Sequence, residues 1–280
     1  MRIVKEHRYG DVRSLEIGSN PLGKVLMTVR FYVVGNILID TGHSMMGKAA
    51  LAYLEDKNIH AALLTHHHED HTGNAADIKK KFSIPVFGHP ITAKKMAAPR
   101  RIMPYQILVW GAAKKLDVKG VETAMTFGSK TFVPIHCPGH SPDMTAWLDK
   151  ETGALFSGDL FIGERIKYFR SDEKIELQIA SLKKVLSLDF DILFCGHNPV
   201  LKNGGKRIQA KLNFLEDFFG KVASFYDKGM DIDAIMKTGS FPEHRLIRNL
   251  SMGNVSRRRM VLSCLRAIDM ANESKRFGTK

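Results

Sequence analysis

Five short apolar runs in this chain each end near a glycine on an acid or a histidine, and that recurrence restricts the fold more than any other feature. They are NILIDTGH (36–43), IHAALLT leading into HHHEDHTG (59–73), TFVPIHCPGH (131–140), ALFSGD (154–159) and DILFCGH (191–197). Runs of this length bounded by turn residues read as buried strands. A neighbouring glycine lets backbone approach a ligand closely. Open α/β sheets bind ligands at the carboxyl ends of their strands. The pattern therefore puts Asp40, the 66–71 tract, His140, Asp159 and His197 at similar turns after strands, where they could share one ligand.

The tract THHHEDHTGN (65–74) packs four histidines and two acids between His66 and His71. It sits between an apolar strand and the helical pattern NAADIKKKF, at a strand-to-helix turn. If the chain stays extended to Asp70, alternate side chains share a face. His66, His68 and Asp70 then point one way, and His67 and Glu69 the other. His71 joins the first group as a helix opens near Thr72 or Asn74. Imidazoles converging with a carboxylate suit zinc, iron or manganese better than calcium or magnesium.

DTG at 40–42, HxHxDH at 66–71, PGH at 138–140, SGD at 157–159 and GH at 196–197 occur in that order. Over about residues 15–205 the chain resembles the metallo-β-lactamase superfamily in these motifs. The resemblance implies an αββα sandwich holding a pair of divalent transition-metal ions, with zinc first and iron or manganese as alternatives. His66, His68 and His140 would bind one ion. Asp70, His71 and His197 would bind the other, with Asp159 bridging and Asp70 also orienting the attacking group. Asp40 would stand behind the cluster, accepting hydrogen bonds that orient it.

Within that resemblance the ligands narrow the branch. Zinc β-lactamases of the commonest type carry cysteine where this chain has Asp159, and flavo-diiron oxygen reductases carry glutamate where it has His68. What remains is similar to the glyoxalase II, lactonase and phosphodiesterase arrangement, and GDLFIGE (158–164) is close to the glyoxalase-II-like form. The implied activity is hydrolysis of a small thioester, ester or lactone by a hydroxide held between two metals. An RNA or DNA phosphodiesterase is the first alternative. A mononuclear iron enzyme resembling persulfide dioxygenases is the second, weakened by the full set of second-metal ligands. One residue departs from the pattern: Asp143 stands where the family often has glycine.

Composition enters where partners are concerned. A net charge of +13, with runs at Lys79–Lys81, Lys94–Lys95, Arg100–Arg101 and Arg257–Arg259, keeps nucleic acid open beside a small-molecule substrate. Solvated helix faces are the commoner meaning of such runs. No apolar stretch is long enough to span a membrane, and the N-terminus lacks the pattern of a signal peptide. Three cysteines, Cys137, Cys195 and Cys264, are too few for a disulfide framework and fit a cytoplasmic protein. Assembly as a homodimer is left open.

Residues 1–205 are expected to form the catalytic domain and 206–280 a helical C-terminal appendage. A helix is expected over about 172–188, with Ile175, Ile179, Leu182, Val185 and Leu186 on one stripe. Gly204-Gly205 would break the chain before an amphipathic helix marked by Ile208, Leu212, Leu215, Phe219 and Val222. DKGMD (227–231) reads as a turn, and Ser256 as the cap of a final helix.

Overall fold

The computed structural model describes residues 1–20 and 23–277. In chain order the strands are β1 (Arg2–Tyr9), β2 (Val12–Ser19), β3 (Val29–Val34), β4 (Ile37–Ile39), β5 (Ala61–Leu63), β6 (Val86–Gly88) and β7 (Lys119–Gly120). They continue as β8 (Met125–Phe127), β9 (Lys130–His136), β10 (Thr145–Asp149), β11 (Leu155–Gly158), β12 (Phe169–Arg170), β13 (Leu193–Cys195) and β14 (Val255–Ser256). The first helices are α1 (Gly47–Leu54), α2 (Glu69–Thr72), α3 (Ala75–Phe82), α4 (Pro90–Ala97) and α5 (Pro104–Val109). After them come α6 (Ile175–Leu186), α7 (Gly204–Tyr226), α8 (Ile232–Lys237), α9 (Arg245–Leu250) and α10 (Arg257–Phe277).

Two compact units are formed. The first contains Met1–His136, Pro142–Ile162 and Asp189–Gly204; the second contains Cys137–Ser141, Gly163–Leu188 and the chain from Gly205 onward. In the first unit a seven-stranded sheet runs in the order β1 to β7, and a five-stranded sheet runs β13-β11-β10-β9-β8. The first sheet is antiparallel from β1 to β4 and parallel from β4 to β7.

The period-2 alternation of the strands builds two separate apolar layers. Along β3, Phe31 and Val33 join Leu38, Ala62 and Leu64 against Ala50, Tyr53, Leu54 and Ile78 of the helices. Their neighbours Tyr32 and Val34 join Ile37, Ile39, Ala61 and Leu63 on the other face, against Phe132, Trp147, Phe156 and Phe194 of the second sheet. Because β3 to β5 are buried on both faces, they read as continuous apolar runs. Trp147 is wholly buried and donates its Nε1–H to the Leu64 carbonyl at 3.1 Å, which ties the sheets beside the histidine tract.

The second unit packs α10 against α6, α8 and β12. Ser263 links the first two helices: its Oγ accepts from Ile175 N at 2.9 Å and donates to the Glu173 carbonyl at 3.2 Å. Helix α6 starts at Ile175, and its buried face is Ile175, Gln178, Ser181, Leu182 and Val185; Ile179 and Leu186 lie at the margin. In α7 the buried aromatic is Phe218, whereas Phe219 is half-buried. The glycine pair opens α7 instead of breaking the chain: Gly204 N donates to the Asp191 carbonyl at 2.7 Å, where a Cβ would meet that oxygen at 2.6 Å. Ser256 caps α10 as expected, its Oγ accepting from Arg259 N at 3.1 Å.

Candidate metal centre

Each strand-end motif of the first unit lands where its sequence placed it. Asp40 follows β4, Thr65 and His66 follow β5, Asp159 follows β11, and His197 follows β13. Asp40 takes the left-handed conformation, φ +59°, which aspartate tolerates better than most residues. In that conformation its carboxylate accepts from Thr65 N and Thr65 Oγ1, both at 2.8 Å, and from His71 Nδ1 at 2.7 Å. Thr65 Oγ1 gives its proton to Asp40, so it accepts from His66 Nδ1 at 3.0 Å. Asp40 thus holds the Nδ1 proton of His71 directly and that of His66 through Thr65, so in its neutral form each ring carries its lone pair on Nε2.

The tract itself departs from the extended geometry. It is extended only as far as His68, and α2 opens at Glu69, earlier than Thr72. The extended stretch brings His66 Nε2 within 2.9 Å of His68 Nδ1. The early helix carries Asp70 away from them and groups it with His71, because successive residues of a helical turn advance along its axis as well as around it. Asp70, His71, Asp159 and His197 then bring ligand atoms within 4.8 Å of one another. His71 Nε2 lies 3.1 Å from Asp159 Oδ1, and His197 Nε2 lies 3.4 Å from Asp159 Oδ2 and 3.5 Å from Asp70 Oδ2. His197 is aimed by its other nitrogen, which donates to the Thr28 carbonyl at 2.6 Å. Arg30 holds the same loop, bonding the His197 carbonyl at 2.5 Å and Glu16 at 2.7 Å.

Two glycines make room for this cluster. A Cβ on Gly196 would sit 2.6 Å from the His71 ring and 3.0 Å from Asp159. Gly158 has φ +47° and would meet Thr65 Oγ1 at 2.6 Å. Any larger residue at either position would push the ligands apart.

Electrostatics show what the cluster is built to hold. Burial disfavours charge on every member, but the neighbours of opposite charge outweigh it. Asp70 and Asp159 are held well below the usual carboxylate range, and His71 and His197 are pushed well above the usual imidazole range. His71 Nε2 is buried and makes no hydrogen bond, although it faces a carboxylate oxygen. With Nδ1 committed to Asp40, a neutral His71 would set two lone pairs against each other at 3.1 Å, so the position calls for a proton or a cation between them. Such a pair requires a positive charge between its members, and the donor set of imidazole nitrogens and carboxylate oxygens suits a divalent transition-metal ion.

Several contributors were not visible in the sequence. Asp143, the departure from the family pattern, is fully buried and accepts from His67 N at 2.9 Å, His67 Nδ1 at 2.8 Å and Thr92 Oγ1 at 2.9 Å. It braces the residue between the two paired histidines. Glu69 is likewise buried and accepts from Gln106 Nε2 at 2.6 Å, 37 residues away, a distance over which sequence gives no signal. In the second unit His140 is buried, with Nδ1 3.4 Å from Glu173 Oε2. Gly139 allows the chain to pass there, since a Cβ on it would lie 2.4 Å from Gln178 N. All three cysteines are buried, and none forms a disulfide among the described residues.

Residues 28–197 match the family model described as metallo-beta-lactamase superfamily. The chain belongs to that superfamily. Among curated superfamily relatives, the thioesterase pkgB of Emericella nidulans is 29% identical over 197 residues, spanning 67% of this chain and 51% of the relative. A hydroxyacylglutathione hydrolase of Halorhodospira halophila is 34% identical over 163 residues, spanning 56% of each. The chain thus spans little more than half the length of these relatives. Among solved structures, a metallo-beta-lactamase family protein from Thermus thermophilus superposes with a TM-score of 0.65 at 16% identity, covering 94% of this chain and 95% of that one. At that identity the likeness shows the fold, which is the α/β metallo-β-lactamase architecture.

Proposed function

We propose that this chain is a metal-dependent hydrolase of thioesters, with esters and lactones as related substrates. The observation that carries the reading is the buried group Asp70, His71, Asp159 and His197, preorganised by Asp40 and demanding cationic charge. Relatives named as a thioesterase and a hydroxyacylglutathione hydrolase support the bond class. In this reading His66, His68 and His140 would hold a first ion, Asp70, His71 and His197 would hold a second, and Asp159 would serve both. Zinc is the first choice for both sites.

Bound ions would lower the pKa of water toward about 7 and polarise the scissile carbonyl. The side chains do the rest. Asp40 fixes the His66 and His71 rings so that neither must reorganise during reaction. Asp70, held ionised, accepts a hydrogen bond from the attacking water and orients it. The buried walls around His66 and His71 keep bulk solvent from screening these charges.

The basic charge gives weaker support to a phosphodiesterase, because several of its runs are engaged locally. Arg257 bonds the Ile166 carbonyl at 3.1 Å and lies over the Phe218 ring, Arg258 pairs with Asp233 at 2.6 Å, and Lys79 bonds Asp117. The deciding experiment is elemental analysis of protein purified without chelators, followed by a panel of thioesters, esters, lactones and RNA at several salt concentrations. We expect two transition-metal ions per chain and thioester turnover that changes little with salt. RNA cleavage that falls steeply with salt, as counterion release requires, with every small ester inert, would replace this reading with the nuclease one.

A further inference from the structure

Helix α5 is built inside out. Its buried residue is Gln106, whose Nε2 donates to Glu69 at 2.6 Å and whose Oε1 accepts from Met103 N at 2.9 Å. Its apolar residues face outward instead, Ile107 being 50% and Leu108 45% exposed. A surface helix normally does the reverse, burying apolar residues and solvating glutamine. Glu69 is the residue before Asp70, so the polar tether anchors α5 beside the candidate metal centre.

Two other segments extend the same surface. Trp110, half-buried at the end of α5, has its ring centroid 6.5 Å from that of His197. Its carbonyl accepts from Ser44 Oγ at 3.3 Å and Met45 N at 3.4 Å, which seats Met45, 42% exposed, next to it. Met27, 40% exposed, adjoins Thr28, whose carbonyl orients His197. Trp110, Met45 and Met27 therefore bring apolar side chains from three stretches of chain near His197, and Ile107 and Leu108 of α5 precede Trp110. Single exposed apolar residues are ordinary, but several of them gathered near a candidate metal centre point to a binding surface.

We propose that Met27, Met45, Ile107, Leu108 and Trp110 seat an apolar acyl group of the substrate. The inference rests on the hydrolase reading above and names its substrate class: thioesters of medium-length or aromatic acids, in preference to acetyl or hydroxyacyl ones. Whatever is attached to the reacting carbonyl must leave the cluster along the adjoining surface. On the His197 side that surface is apolar.

The test uses the full chain loaded with zinc. Octanoate and acetate binding are measured by calorimetry, and octanoyl and acetyl thioesters of N-acetylcysteamine are compared in turnover. A fully buried methylene is worth about fourfold, so on a half-exposed wall octanoate should bind at least about thirtyfold tighter than acetate. Replacing Ile107 and Leu108 together by serine should cut that ratio about tenfold, and Met27→Ser, on an independent segment, should lower it in the same direction. These positions are exposed, so an unchanged melting temperature will show that folding is intact. Equal affinities for octanoate and acetate would overturn the acyl seat even if thioesters are hydrolysed. An octanoate preference lost in the variants, in a protein that cleaves no thioester, would keep the seat and remove the hydrolase reading. An octanoate affinity unaffected by the substitutions, with self-association lost instead, would assign the patch to a second copy of the chain.

Discussion

Asp159 and Asp40 both touch His71 or face it, yet their loss should differ in kind. Asp159→Ala removes the carboxylate that lies against both His71 and His197. Activity is expected to fall by at least about a thousandfold and metal content below two ions per chain, because a removed ligand leaves neighbouring cations poorly compensated. Asp40→Ala leaves every ligand in place but frees the His71 ring and Thr65. Loss of such an orienting partner usually costs about ten- to a hundredfold in affinity or activity. Steady-state rates and elemental analysis of both variants would check this; parental activity in Asp159→Ala would remove Asp159 from the site.

Asp143 offers a pH-dependent counterpart at the same scale. Burial pushes its carboxyl upward, but hydrogen bonding from His67 and the charges of His67, His66 and Lys95 outweigh that and hold it well below the usual range. A carboxyl depressed on folding contributes stability that is present above its unfolded pKa of about 3.9 and is lost as pH falls below it. Melting temperatures should therefore fall below about pH 4 in the parent and fall less steeply in Asp143→Asn. An identical acid limb in both proteins would remove Asp143 as a contributor. Asp143→Gly, which removes the side chain altogether, should also loosen His67 and so lower metal affinity.

At the scale of single elements, caps and tethers matter more than propensity. Ser256→Ala removes the acceptor for Arg259 N at the start of α10, the helix that also meets α6, α8 and β12. A cost of about 1 kcal/mol in denaturant unfolding is expected. Because the backbone amides of Arg257 and Arg258 also bond Glu243 at 2.9 and 3.1 Å, the helix should remain folded. No loss of stability would mean that Glu243 satisfies the helix start without the serine. Helix α2 shows why the tract could not be placed fully from sequence. Its early start at Glu69 is fixed by the Glu69–Gln106 bond and by Thr72 Oγ1 reaching the His67 and His68 carbonyls. The first of these bonds joins residues far apart in the chain.

For the molecule as a whole, the metal centre is expected to be a stability element as well as a catalytic one. Ions that bind the folded chain at a thousand times their dissociation constant add about 4 kcal/mol. A chelator should lower the melting temperature by several degrees, and excess zinc should restore it. A melting temperature indifferent to chelator, in protein shown to have lost its metal, would make the centre purely catalytic. Among the described residues no helix is long and apolar enough to cross a membrane.

The sequence by itself determined the strand ends. Asp40 and Asp159 sit directly after β4 and β11, and His66 and His197 within three residues of the ends of β5 and β13, because a short apolar run bounded by turn residues has few other ways to be buried. The motif order was enough to expect the fold and the residues of the second ligand group. Only the tertiary structure decided how the 66–71 tract divides. His66 and His68 pair on extended backbone, while α2 gathers Asp70 and His71 with Asp159 and His197. It alone brought Asp143 beneath His67, 76 residues apart, and turned the apolar face of α5 outward by burying Gln106. These choices rest on single hydrogen bonds between distant segments, whose energies exist only once the sheets have packed and excluded water, so no local pattern of residues encodes them.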